Sequence, residues 1–239
     1  MIRINKYIAS SGTYSRRGAE QLILDKKVTL NGKIVTDLGV QVDEKNDTVA
    51  INGKAINPIN KKIYVMLHKP KGYITTLSDD KGRKTVMEFF PEFLRKVVKP
   101  IGRLDRDSEG LLLFTNDGEL AKILTHPSSK IKKYYQVTIE GTISKEELDI
   151  LNKGVEIEVD GQTEETHPIR VKVMHEDTNK NTTKLEVIIA EGKNREIRKM
   201  FESINKVIIL LKRTQIGRLT LGGLPRGKYK DFLPELTIK

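Results

Sequence analysis

The sequence predicts an α+β fold in two parts. Residues 1–59 read as a small helix–helix–hairpin domain and residues 60–239 as a larger domain built around a large sheet. Three observations carry this expectation. In the first quarter, apolar residues recur at helical spacing and then in short β-prone runs around Asn-Gly pairs. From about residue 61, strand-like and helical runs alternate irregularly. Leu111–Phe114 reads as a buried strand, and Val207–Leu211 as a strand buried on both faces.

Each element has a local cause. Ile4, Tyr7 and Ile8 give one apolar helix face. Ser15 is a good N-cap for a second helix, in which Ala19, Leu22 and Ile23 fall at i, i+3, i+4. In "VTLNGKIV" the pair Asn31-Gly32 separates two β-prone runs; both residues tolerate the positive φ of a tight type I′ turn. "VAINGKAI" repeats the device at Asn52-Gly53. Pro58 and Asn60 mark a linker before Ile63–Leu67 opens a new strand. Further on, "YYQVTIEG" alternates like a strand. Ser144-Lys145-Glu146-Glu147 is a capping box for a helix that stops near Gly154. "TKLEVIIAEG" is another strand. Arg195–Ile204 is an amphipathic helix with Ile197, Met200, Phe201 and Ile204 as its buried stripe.

The bulk composition narrows the function. At 37% hydrophobic the 239-residue chain can bury a core, and no apolar run approaches the length of a membrane span. The opening Met1-Ile2-Arg3-Ile4-Asn5-Lys6 has no apolar signal core, so a cytoplasmic location is expected. With no cysteine, disulfides, thiol catalysis and cysteine metal sites are excluded. His68, His126, His167 and His175 are scattered, and none pair at metal-ligand spacing, so no metal is expected. The net charge of +11 favours a polyanion, either nucleic acid or a membrane surface. The surplus is clustered. Arg3, Lys6, Arg16, Arg17, Lys26, Lys27 and Lys33 face only Glu20 and Asp25 over residues 1–36, and residues 212–230 carry Lys and Arg with no acid. Arg16 and Arg17 start a helix, where the dipole disfavours cations. With Lys26, Lys27 and Lys33 on the same small unit, they read as phosphate contacts.

The densest charge is in "GRLDRDSEG", residues 102–110, just before Leu111–Phe114. An Asp beside arginines stays ionised and could act as a nucleophile or a base. The same residues also suit a plain solvated turn. Asp105 and Asp107 could be a glycosidase pair, but in a loop the spacing decides nothing. The arginines oppose a cation site. Gly82-Arg83-Lys84-Thr85 lacks the upstream Gly of a phosphate-binding loop, and no Gly-x-Gly-x-x-Gly occurs, so nucleotide cofactors have no support. On the residues alone these alternatives stay open.

Two resemblances narrow them. Arg3–Ile8, Ser15–Ala19 and Val28–Gly32 resemble an S4-like RNA-binding domain over the first quarter of the chain. "GRLDRDSEGLLLFTNDGELA" is similar to the signature of bacterial ribosomal RNA pseudouridine synthases that carry such a domain in front. Lys69-Pro70-Lys71-Gly72, Lys133-Tyr134-Tyr135-Gln136-Val137 and "EGKNREIRKMF", with Lys199 in place of a second Arg, follow in the family's order. The resemblance implies a catalytic domain with a large mixed, mainly antiparallel sheet and isomerisation of a uridine, without a cofactor, through a flipped-out base. It implies Asp105 as the catalytic aspartate, Tyr135 as the active-site tyrosine beside Tyr134, and Arg198 as the cation that pairs with the aspartate. Arg103 corresponds to the residue that fills the stack when the base leaves. Asp107 has no catalytic counterpart and reads as structural.

With the basic stretch after Gly192, including Lys193 and Arg195, the expected RNA contacts are Arg103, Arg16, Arg17, Lys26, Lys27, Lys33, Lys193 and Arg195. "DDKGRKTVMEFFP" and the Gly222–Gly227 tail resemble the large-subunit enzymes, which implies large-subunit rRNA or its assembly intermediate as partner. A monomer is expected. The alternatives are small-subunit rRNA as substrate, or a non-catalytic RNA-binding assembly factor.

Overall fold

The computed structural model describes residues 1–159 and 161–238. The chain divides into two units: Met1–Ile63 with Phe90–Lys99, and Tyr64–Phe89 with Pro100–Lys239.

In the first unit, helix α1 (Ile4–Ser10) and helix α2 (Arg16–Leu24) cover a four-stranded sheet ordered Lys33–Ile34, Val28–Leu30, Val49–Ile51, Lys54–Ile56. The Ser15 side chain accepts the Gly18 N–H at 3.0 Å, which fixes where α2 begins. Both Asn-Gly turns form as their residue types demand, with φ of 50° and 79° at Asn31-Gly32 and 49° and 76° at Asn52-Gly53. Ile4, Tyr7, Ile8, Ala19, Ile23, Val28, Val42 and Val49 pack into one core. A short helix α3 (Glu92–Val97) belongs to this unit although its sequence lies far downstream.

The second unit is built on a mixed sheet. Its strands run in the order Arg170–Asp177, Thr182–Ile189, Lys133–Glu140, Ile208–Ile216, Glu109–Thr115, Tyr64–Lys69, Tyr229–Asp231. All neighbours are antiparallel except Ile208–Ile216 and Glu109–Thr115, which run parallel. The Glu109–Thr115 strand has partners on both sides, and Leu111–Phe114 are fully buried. Helix α4 (Gly118–Thr125) is capped by Asp117, and helix α5 (Lys145–Lys153) by the expected Ser144–Glu147 box before Gly154. Helix α6 (Glu196–Ser203) buries Ile197, Met200 and Phe201. Among the described residues no helix is long and apolar enough to cross a membrane.

One sequence expectation is corrected. Val207–Leu211 is not buried on both faces: Val207 is 61% and Ile209 48% exposed. Pairing with the Glu109–Thr115 strand begins only at Lys212, so residues 208–211 pair with Lys133–Glu140 alone. The apolar run therefore lies on a projecting strand end.

Candidate active site

The loop 102–108 leads into the buried Glu109–Thr115 strand, and its backbone is held at four places. The Lys69 ammonium, fully buried at the end of strand Tyr64–Lys69, donates to the carbonyls of Asp105 (2.8 Å), Ser108 (2.7 Å) and Pro70 (3.2 Å). Gly72 N–H donates to the Arg106 carbonyl at 2.7 Å. Thr75 Oγ1 donates to the Leu104 carbonyl at 2.7 Å and accepts the Leu104 N–H at 3.2 Å. Ser108 N–H closes the turn onto the Asp105 carbonyl at 3.1 Å. Burial pushes the Lys69 ammonium down to about 8, with the charges of Asp105 and Asp107 acting the other way. Gly110 completes the arrangement. Its φ is +110°, and a Cβ there would stand 2.2 Å from the Arg213 carbonyl oxygen, so only glycine lets the parallel strands meet at this register. Of the other charges of the stretch, Arg106 is exposed, and buried Glu109 accepts from Arg226 at 2.9 Å.

Asp105 lines a cleft of about 580 Å³ together with Arg103, Lys133, Tyr135, Glu196 and Arg213. The Asp105 carboxylate makes no hydrogen bond or ion pair among the described residues, whereas its backbone is fixed. Tyr135 is buried and lines the cleft; Tyr134 points to the other face of its strand and does not, as strand alternation requires. Arg103 is exposed at the rim.

Arg198 departs from expectation. It does not pair with Asp105. Its Nε lies 3.1 Å from Asp107 Oδ2, close enough for an ion pair but misaligned for a hydrogen bond, and its Nη2 donates to the Asp107 carbonyl at 3.1 Å. Asp107 also lies 3.4 Å from Arg195. The reason is positional: the turn presents Asp107 to α6 while Asp105 faces the cleft. Asp107 is thus the clamp between the loop and α6, in keeping with the structural role read for it.

The expected RNA contacts are unequal. Arg16, Arg17, Lys26, Lys27 and Lys33 are all exposed on the first unit, Lys27 beside Asp25 at 3.1 Å. In the second unit Arg195 is exposed, but Lys193 is held by Glu164 at 3.0 Å and by the Glu165 carbonyl at 2.6 Å.

Several cleft residues had not been singled out. Half-buried Lys133 and buried Arg213 are cations that line the cleft with Tyr135. Parity would have found Lys133, since residues i and i+2 of a strand share a face. Glu196 is buried against Glu191. Burial, reinforced by Glu191, pushes the Glu196 carboxyl up to about 8, so it is protonated at neutral pH. Its Oε2 accepts the Lys193 N–H at 2.9 Å, and Glu191 accepts the His167 N–H at 2.7 Å, which ties down the 190–196 wall of the cleft. Among the described residues no group of His, Asp or Glu is placed to hold a metal ion.

A mixed sheet carries an unpaired aspartate on a pinned loop and a tyrosine in the same cleft, and comparison with known proteins places them in an RNA-modifying isomerase. The RNA pseudouridylate synthase family model matches residues 63–203 and the S4 domain model residues 2–49. The chain belongs to the RNA pseudouridylate synthase family. It is 42% identical to ribosomal large subunit pseudouridine synthase B of Bacillus subtilis (strain 168), over 98% of this chain and 93% of that one. It is 38% identical to an RNA pseudouridine synthase of Aquifex aeolicus (strain VF5), over 97% of this chain and 90% of that one. A crystal structure of a pseudouridylate synthase superposes with a TM-score of 0.70 at 27% identity, covering 100% of this chain and 99% of the other.

Proposed function

We propose that this chain converts one uridine of large-subunit ribosomal RNA to pseudouridine in the cytoplasm, acting as a monomer, with Asp105 as the group that meets the reacting nucleotide. Residues 1–59 serve as the RNA-binding domain and residues 60–239 as the catalytic domain. The observation that carries the reading is the contrast at Asp105: a backbone held by Lys69 and Ser108, and a carboxylate left unpaired in a cleft lined by Tyr135. Such a group is oriented yet available. The large-subunit assignment is supported by the Bacillus relative, whose name states that substrate.

The chemistry follows from the geometry. The target base must leave the RNA stack to reach Asp105, at a cost of a few kcal/mol, least in a loop. Tyr135 offers a stacking face worth about 1–3 kcal/mol to the flipped base. Arg103 stands at the rim, where the vacated stack would be refilled. Arg198 acts through Asp107 to hold the loop against α6. Arg16, Arg17, Lys26, Lys27, Lys33 and Arg195 supply phosphate contacts, and Lys193 adds to them where Glu164 releases it.

The test is carbodiimide–primer-extension mapping on unmodified large-subunit rRNA with wild type and with Asp105→Asn. A single new stop with wild type, missing with the variant although RNA binding survives, is expected. A stop on small-subunit rRNA alone would move the substrate. Modification by Asp105→Asn at the wild-type rate would remove Asp105 from the chemistry.

A further inference from the structure

We propose that Arg213 is a further catalytic residue, whose guanidinium stabilises the negative charge that the pyrimidine ring carries midway through the isomerisation. This rests on the reading of the cleft as the uridine site.

Arg213 is only 4% exposed, yet it lines the cleft with Asp105 and Tyr135, and it is directly opposite Tyr135 in the sheet register. Its Nε donates to the Leu111 carbonyl at 2.8 Å, which fixes the plane of the guanidinium. Its Nη2 is buried with no hydrogen-bond partner, and it forms no ion pair among the described residues. The other cations nearby are each provided for. Lys69 has three carbonyls, Arg198 has Asp107, and Lys133 donates to the Glu191 carbonyl at 3.3 Å. A buried guanidinium without a counter-charge is unfavourable, so its retention points to an anion that arrives with the substrate. The strand pairing enforces its place: Gly110 gives up a side chain so that the Arg213 backbone can sit against the strand that follows the loop.

The reaction itself supplies the anion. The C1′–N1 bond breaks with its electron pair passing to the ring, the ring turns, C5 forms a bond to C1′, the C5 proton leaves to a base, and N1 takes up a proton. Nothing is oxidised or reduced. If Asp105 attacks C1′, or acts as a base on the ribose, the departing ring is uracilate. If Asp105 adds to C6, the electron pair of the C5–C6 bond moves onto the ring oxygen as an enolate. Every route puts a full negative charge on the pyrimidine, and a fixed buried cation lowers the barrier to forming it. An RNA phosphate fits this position poorly, because phosphates lie on the outside of a flipped nucleotide, where Arg103 and Arg195 are exposed.

The test compares Arg213→Gln, Arg213→Lys, Asp105→Asn and wild type on two RNAs, one with uridine and one with 5-fluorouridine at the target. The readouts are the single-turnover rate of loss of the target nucleoside and the RNA dissociation constant. Fluorine withdraws electrons and stabilises the ring anion by itself, so the protein's cation matters less. Arg213→Gln is expected to slow the uridine reaction by about 10²–10³-fold with RNA affinity within about twofold. Arg213→Lys, which keeps a charge, should lose less. Both deficits relative to wild type should shrink markedly on the fluorinated RNA. Because the two RNAs are compared within each variant, a partly unfolded preparation does not change that ratio. Equal deficits on both RNAs, or weakened binding with an unchanged rate at saturation, would overturn the proposal. Full activity in Asp105→Asn would overturn the reading of the cleft, and the proposal with it; an inactive Asp105→Asn beside equal deficits overturns the role of Arg213 alone.

Discussion

Arg16, Arg17, Lys26 and Lys33 stand exposed on the first unit, whereas Lys69, Arg198 and Arg213 are buried in the second. The first group keeps its hydration and meets a ligand through long-range, salt-screened attraction. The second has lost its water and is oriented by backbone carbonyls and Asp107. The same residue types therefore do separate jobs. Under the proposed function, exposed cations would set how tightly RNA is held, and buried ones where the reacting groups sit. If the division is real, substitutions in the two sets should move different observables.

The largest effect is expected at Gly110. In Gly110→Ala the new methyl would meet the Arg213 carbonyl oxygen at 2.2 Å and its nitrogen at 2.7 Å, so the parallel pair must separate. Loss of more than about 4 kcal/mol is expected, read as a collapse of the melting temperature. A variant that melts like wild type would show that the close approach is not needed to seat Arg213. Next comes Lys69→Met, which keeps length and removes three N–H donors from the loop. The single-turnover rate should fall by about 10²-fold through misplacement of Asp105, with RNA affinity unchanged. A drop in affinity instead would place Lys69 with the exposed set.

How much of this was legible in the sequence depends on range. The Asn-Gly turns, the Ser15 and Ser144 caps and the Leu111–Phe114 strand are local, and all form as read. Tyr135 could be preferred over Tyr134 only by family resemblance; strand parity then explains the choice. Misreadings arose where a partner comes from far along the chain. Val207 and Ile209 are exposed because the neighbouring strand starts pairing only at Lys212. Arg198 meets Asp107 because loop and helix are brought together over about ninety residues of chain, and no spacing rule separates Asp105 from Asp107 as its partner. The roles of Lys69 and Arg213 are not legible for a related reason: a cation within or at the end of an apolar strand reads as its solvent-facing residue until the sheet covers it.

A smaller effect belongs to the exposed cations. Alanine at Arg16, Arg17 or Lys33 should weaken RNA binding by several-fold each, and lower the slope of log affinity against log salt by about 0.7–0.9 per phosphate contact removed. The rate at saturating RNA should stay at the wild-type value. Filter binding over a salt series, paired with single-turnover kinetics, separates the two. A rate that falls with unchanged salt slope would erase the distinction between the sets.

The smallest effect tests whether the buried charges of the cleft wall are set by burial itself. Glu196 has its carboxyl raised to about 8 by burial and by Glu191, so the folded protein keeps a proton that the unfolded chain has already released. For a group raised in this way, the stability it contributes is fully present below the ordinary carboxylate range and is lost as pH rises through about 8. Glu196→Gln fixes the uncharged form, so that loss should vanish. Between about pH 6 and about pH 9 the melting temperature of wild type should therefore fall by roughly 2–4 °C more than that of the variant, for each kcal/mol involved. Lys69 also titrates in this window and has the opposite sign, since its depressed ammonium favours the fold as pH rises. It is present in both proteins, so the difference between them isolates Glu196. Parallel curves would mean that Glu196 is ionised and compensated in the fold, which would assign Lys193 or Lys133 a counter-charge role that burial alone does not require.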